Sequence, residues 1–298
     1  MIGTKKPNAR SLNKMKIRDS FKDDVASLYV VSTPIGNLSD ITLRAIDTLK
    51  RVDLIYAEDT RNTRKLLTHF EIKTLLDTYH EHNKEEKKET ILNQLRQGKS
   101  IAIVTDAGTP AISDPGYELV FHVKNEFPVV VVPGASAILT ALVGSGLVVQ
   151  PFTFYGFLNR AKQKREKELT QLRVLPHTLV FYESPNRIKE TLKALLDVFG
   201  NRHVCLAREL TKHYESYIEG NLLELIEADL VEKGEFVIIC EGYQKIEEEI
   251  TSPRDKVLEY IELGYDHKEA IKMVAKEMGV NKNIVYQEVI NQGGIKTK

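Results

Sequence analysis

Only two cysteines, Cys205 and Cys240, occur in 298 residues. They are too few and too far apart for a disulfide framework or a CxxC metal site, and a reduced, cytoplasmic setting is expected. No apolar run approaches the roughly 18–20 residues needed to span a bilayer. The opening MIGTKKPNAR carries charge but no apolar core, so no secretory signal is expected either. No Gly-x-Ser-x-Gly elbow and no His/Cys/Asp cluster with ligand spacing is present, which disfavours an acyl-enzyme serine and a metal. Glycine-rich phosphate loops are missing too: VVSTPIGNLSDITLRA, residues 30–45, has the outline of strand, loop and helix but a single glycine. The formal net charge is zero, so the chain as a whole does not attract polyanions.

Charge is nevertheless uneven. Lys5, Lys6, Arg10, Lys14, Lys16, Arg18 and Lys22 face one acid, Asp19, within the first 22 residues. A second basic run, NRAKQKREKELTQLR at 159–173, follows the aromatic stretch FTFYGFL. Such runs are ordinarily solvated tails or helix faces, and read as polyanion contacts only where a partner is otherwise implied.

From Leu28 onward, short apolar runs alternate with helical patterns: LYVV (28–31), LIYA (54–57), IAIV (101–104) and VVVV (129–132). That spacing predicts βαβ units and a mostly parallel sheet covered on both faces. After the connector GLVVQPF a second, more β-rich series follows: FTFYGFL, TLVFY, HVCLAREL, YIEG and EFVIICEG. The expected organisation is a basic extension over 1–27 and α/β domains over 28–148 and 149–247. A small helical segment over 248–298 completes it. EAIKMVAKEMGVNKNIVYQEVIN in that last segment has a helix–Gly–helix cadence, read as a small capping bundle in preference to a helix-turn-helix.

The chemically informative residues fall at strand ends. STPIGN, AEDTRNTRK, TDAGTPAISDPG and PGASA follow the four apolar runs, and the carboxyl ends of parallel strands lie on one edge. TDAGTPAISDPG places Asp106 at a strand end, then small residues whose backbone can approach a ligand, with no lysine for a triphosphate. Asp114-Pro115-Gly116 reads as a turn signal. Ser136 and Ala137 open a helix. Glu58-Asp59-Thr60-Arg61 offers either an N-cap or a carboxylate that orients and deprotonates a hydroxyl, with arginines ready for phosphate. FYESPNRI and ARELTKHYE are further polar strand ends, carrying Glu183 and Arg187, and Arg208 to His213.

In order and wording, LYVVSTPIGNLSDITLRA, AEDTRNTRKLL, TDAGTPAISDPG, VVPGASA, FTFYGFL, LVFYESPNRI and ARELTKHYE resemble the successive motifs of the ribosomal RNA small subunit methyltransferase I family. That family is a branch of the tetrapyrrole methylase superfamily. The resemblance runs from about Leu28 to Tyr243. It implies two α/β domains with a cleft between them that holds S-adenosyl-L-methionine, and methylation of a cytidine ribose 2′-oxygen in 16S ribosomal RNA. It also implies a homodimer. Carried over by position, the superfamily's cofactor contacts fall on Pro34, Asp106, Ala107, Gly108, Thr109, Ile112, Ser136, Ala137, Glu183 and Leu210. Thr109 stands where the superfamily has an acid, and at Glu183 and Leu210 the residue types also depart, so backbone contacts are implied there.

A ribose hydroxyl needs a base to become a good nucleophile. Glu58 or Asp59 is the expected base, Arg61 the residue that places a phosphate, and Glu183 the fallback. The target nucleotide must be unstacked to enter a deep cleft, and zero net charge favours a folded small ribosomal subunit over naked RNA as substrate. A corrinoid-type small-molecule methyltransferase, a non-catalytic RNA-binding module and a nucleotide-binding enzyme are the alternatives.

Overall fold

The computed structural model describes residues 17–20, 25–244 and 252–291, so most of the expected basic extension over 1–27 lies outside the described residues. Two compact units divide the chain, residues 1–243 and 244–298.

In the first unit, β1 (Leu28–Val31), β2 (Leu54–Ala57), β4 (Ile101–Val104) and β5 (Val129–Val132) coincide with the four apolar runs. With β3 (Leu75–Thr78) they form a wholly parallel sheet in the order β3-β2-β4-β1-β5. β1 and β4 are buried along their whole length because alternate side chains enter two different cores. Tyr29, Val31, Ala102 and Val104 pack with Ala45 and Leu49 of α1 (Leu43–Arg51). Leu28, Val30, Ile101 and Ile103 pack with Ile91 and Leu95 of α3 (Lys84–Arg96) and Leu119 of α4 (Tyr117–Val123). Two strands depart from the expectation. β5 is an edge strand and leaves Val131 exposed, so its unbroken valine run does not mean burial on both faces. β3 reads LLDT, too short and too polar to stand out, and it forms the opposite edge.

The second sheet is mixed, in the order β6-β7-β10-β8-β9, from β6 (Phe152–Phe157), β7 (Thr178–Glu183), β8 (His203–Arg208), β9 (Ser216–Asn221) and β10 (Phe236–Cys240). β6 and β7 are parallel and the other pairs antiparallel. One face carries Phe181, Leu206 and Ile238 against α6 (Lys162–Leu172), α7 (Ile188–Phe199) and α8 (Leu222–Glu227). The other carries Val180, Cys205, Ala207 and Ile239, and here Ile35 and the helix α5 (Ala137–Gly144) supply the covering side chains, Ala141 and Leu142 among them. A helix of the first sheet thus completes the core of the second. Cys205 and Cys240 are both free and buried, and burial pushes their thiols up to about 12.

The second unit contains α9 (Pro253–Glu262), α10 (His267–Glu277) and α11 (Lys282–Asn291) around Val257, Ile271, Val274 and Val285. No helix among the described residues is long and apolar enough to cross a membrane.

Candidate active site

Three adjacent strands, β4, β1 and β5, send their carboxyl-terminal loops to one place. The loops after β1 and β4 are stitched together: Thr33 N–H donates to Gly108 O at 2.9 Å and Gly108 N–H to Thr33 O at 3.1 Å. Side chains repeat the link, with Ser32 Oγ 2.8 Å from Thr109 Oγ1 and Thr33 Oγ1 donating to Thr105 O at 3.0 Å. Gly108 holds φ +78°, a conformation that costs other residues a backbone–Cβ clash. Ser136 caps α5, its Oγ accepting from Leu139 N–H at 3.4 Å.

These loops face the end of the second sheet where β6, β7 and β8 finish and β10 begins. Between them lies a cavity of about 360 Å³, within the range of small-molecule sites. Ala107, Gly108, Thr109, Ile112, Ser136, Ala137, Glu183 and Leu210 line it, which brings together eight of the ten residues carried over as cofactor contacts. Pro34 and Asp106 are not in the lining: Pro34 is buried beside Ile35, which is, and Asp106 is exposed and accepts a hydrogen bond from Asn62 Nδ2 at 2.9 Å. Four non-glycine residues around the cavity hold positive φ, namely Ala111 (73°), Ser113 (65°), Glu209 (52°) and Thr211 (66°). Such conformations persist where the surrounding structure holds them, and they cluster at ligand sites.

The charged groups of the lining are Asp114, Glu183 and Glu235, with no lysine, arginine or histidine. Glu235 is paired with Lys212 at 2.9 Å. Glu183 is fully buried and saturated by its own chain: Thr191 Oγ1 donates to it at 2.6 Å and Ser184 N–H at 2.8 Å, with Arg187 at 3.5 Å. Its carboxylate is committed to holding the β7–α7 corner, leaving backbone to face the cavity. Asp114 is different. Burial, then the neighbouring Glu58, push its carboxyl up to about 6. Asp114 in turn, after burial, helps push the Tyr182 phenol beside the cavity up to about 12.

The expected catalytic trio after β2 separates. β4 lies between β2 and β1, so the loop after β2 sits one strand away, and Glu58, Asp59 and Arg61 do not line the cavity. Asp59 is the N-cap of α2 (Thr60–His69), accepting from Arg61 N–H at 2.8 Å while the Arg61 guanidinium pairs with it at 2.6 Å. Those hydrogen bonds hold Asp59 down at about 2. Glu58 instead accepts from Thr105 Oγ1 at 2.7 Å, and its charge acts on Asp114. Asp114 was legible only as a turn residue, because nothing local says that the turn folds over a cavity. Within the basic run 159–173, Arg165 points inward, 3% exposed and paired with Glu190 at 2.6 Å, so it is no surface contact.

Residues 27–226 match the model of the Tetrapyrrole (Corrin/Porphyrin) Methylases. The chain is similar to ribosomal RNA small subunit methyltransferase I of Halalkalibacterium halodurans, 50% identical over 91% of this chain and 98% of that protein. It is similar to the protein of the same name from Bacillus subtilis, 49% identical over 89% and 94%, and to that of Escherichia coli O157:H7, 41% identical over 94% and 100%. Among solved structures, a cobalt precorrin-4 methyltransferase superposes with a TM-score of 0.55 at 18% identity, over 72% of this chain and 94% of that one. A diphthine synthase superposes with a TM-score of 0.57 at 11% identity, over 72% and 90%, so the fold is shared where the sequences are not. A matched family model over most of the chain, the two-sheet cleft and half-identical relatives along nearly the full length agree: this chain belongs to the tetrapyrrole methylase family, in its ribosomal RNA small subunit methyltransferase I branch.

Proposed function

We propose that the chain is a methyltransferase that carries a methyl group from S-adenosyl-L-methionine to the ribose 2′-oxygen of a cytidine in 16S ribosomal RNA. We place it in the cytoplasm as a homodimer, acting on the small ribosomal subunit. The observation that carries the reading is the cavity: acids, small residues and backbone at the ends of β4, β1 and β5, with no cationic side chain in the lining. That donor set suits a cationic sulfonium joined to an uncharged adenosine, and it is poorly suited to a triphosphate.

The residues that would hold the cofactor are Gly108, Thr109, Ile112, Ser136, Ala137 and Leu210, with the backbone at Glu183. Bound there, S-adenosyl-L-methionine supplies an electrophilic methyl group on a sulfonium. The chain's own contribution is to orient the ribose and take its 2′-hydroxyl proton. Asp114, on the cavity wall and with Glu58 acting on its charge, is our candidate for that role. A carboxyl near 6 is ionised at neutral pH yet more basic than an ordinary aspartate, which suits proton abstraction. Asp59 is a helix cap whose proton affinity is too low, and Glu183 is saturated, so neither is assigned as base. Exposed Val131, Leu139, Val143 and Val148 are apolar surface that a second copy would cover.

Labelled S-adenosyl-L-methionine incubated with the protein and small ribosomal subunits tests the reading. The expected result is label on one cytidine ribose of 16S RNA, and absence of label from RNA overturns it.

A further inference from the structure

α2 has a face that the cavity does not use. Thr63, Leu66 and Leu67 are its buried residues, Leu67 packing with Ile55 and Ala57 of β2. Arg61, Arg64, Lys65 and Thr68 recur at helical spacing on the other side, and with Thr60 they line an open concavity of about 520 Å³. No acidic residue is in that lining. Arg61 is engaged by Asp59. Arg64 and Lys65 are exposed and form no ion pair among the described residues. In a chain of zero net charge, an unneutralised pair of cations beside two threonine hydroxyls is a local anion site. It is also tied to the cavity, because Asn62 on the same helix donates to Asp106, and the next residue, Ala107, is part of the cavity wall.

We propose that Arg64 and Lys65 on the exposed face of α2 bind backbone phosphates of single-stranded RNA flanking the nucleotide that enters the cavity. The proposal rests on the RNA substrate argued above. A polymer whose reacting nucleotide is splayed into a cleft must carry its neighbouring phosphates over the rim. A guanidinium fork and an ammonium half a helical turn apart or less present donors to consecutive phosphates or to one phosphate from two sides. The contacts position the strand and carry no sequence information.

Binding to naked 16S RNA and to small ribosomal subunits, measured for the wild type and the double variant Arg64→Ala/Lys65→Ala between about 50 and 200 mM salt, tests this. Two lost phosphate contacts lower the log–log salt slope by about 1.4–1.8 and weaken binding roughly tenfold or more. The double variant Arg64→Lys/Lys65→Arg restores most of the affinity. Melting temperature and S-adenosyl-L-methionine binding stay at wild-type values, since neither residue lines the cavity. An unchanged RNA affinity and salt slope overturns the proposal, as does absence of RNA binding by the wild type. Loss confined to assembled subunits, with naked RNA unaffected, overturns it in favour of an acidic protein surface. Failure of the enzymatic reading is separable: RNA would bind with the predicted slope change while no methyl group enters it.

Discussion

Thr33 and Gly108 exchange both of their backbone hydrogen bonds, at 2.9 and 3.1 Å, and so lock the loop after β1 to the loop after β4. Neither loop is regular structure by itself. Together they form one rigid wall of the cavity, and the wall depends on Gly108 holding φ +78°.

Gly108→Ala is therefore expected to weaken cofactor binding more than its size suggests. The added Cβ would meet only Ile35 Cγ2 at an ordinary 3.6 Å. The cost lies in the left-handed backbone, about 1–2 kcal/mol. Calorimetric titration with S-adenosyl-L-methionine should show reduced affinity, and unchanged affinity with unchanged melting temperature would count against the rigid-wall account.

Asp114→Asn should lower methyl transfer at saturating cofactor by roughly 10²–10⁴-fold. Glu58→Gln should have a smaller effect and move the acid limb of the pH–rate profile, whereas Asp59→Asn should leave that limb in place. In the wild type, activity falls as pH drops through about 6. Stability runs the other way. The folded chain holds the Asp114 proton more tightly than an unfolded chain with the ordinary value of 3.8, so this group's contribution falls as pH rises from 3.8 to about 6. The difference in melting temperature between the wild type and Asp114→Asn, followed against pH, should show that slope.

Arg165 is buried; among the described residues its Nε and Nη1 lack partners and Glu190 alone answers its charge, through Nη2. Glu190→Ala should destabilise the chain by about 1–3 kcal/mol in chemical denaturation by leaving the guanidinium uncompensated. Adding Arg165→Met should recover most of the loss. If Glu190→Ala alone is neutral, the pair does not matter to the fold.

Gly144, at the end of α5, lies against the Tyr217 ring, whose Oη also donates to Thr140 O at 3.2 Å. A Cβ on Gly144 would fall 2.2 Å from Oη and 2.3 Å from Cζ. Gly144→Ala should cost about 1–3 kcal/mol by overpacking. Tyr217→Phe should not relieve it, because the ring carbon stays, while Tyr217→Ala should. Thermal melts of Gly144→Ala alone and combined with each Tyr217 substitution check the pattern.

The apolar runs LYVV, LIYA, IAIV and VVVV became strands at the predicted residues; for the interior strands β1, β2 and β4 burial in a parallel sheet explains the composition, whereas VVVV is an edge strand that is apolar all the same. LLDT of β3 did not, since an edge strand need not be apolar. The cavity-lining loops were legible as small residues at strand ends. The raised carboxyl of Asp114 was not, because one of its causes is Glu58, which lies far away in the sequence.

The order of local elements, the edge on which the loops gather and the family motifs were set by the sequence itself, through hydrophobic periodicity and turn chemistry. Which loops meet was decided only in three dimensions. The strand order β3-β2-β4-β1-β5 puts the loop after β2 one strand outside the cavity. That placement leaves Asp59, already a helix cap by local sequence, and the basic face of α2 outside the cavity lining. Ser136 and Ala137 at the start of α5 complete the cavity wall, and burial together with Glu58, distant in sequence, is what raises the carboxyl of an ordinary turn aspartate, Asp114.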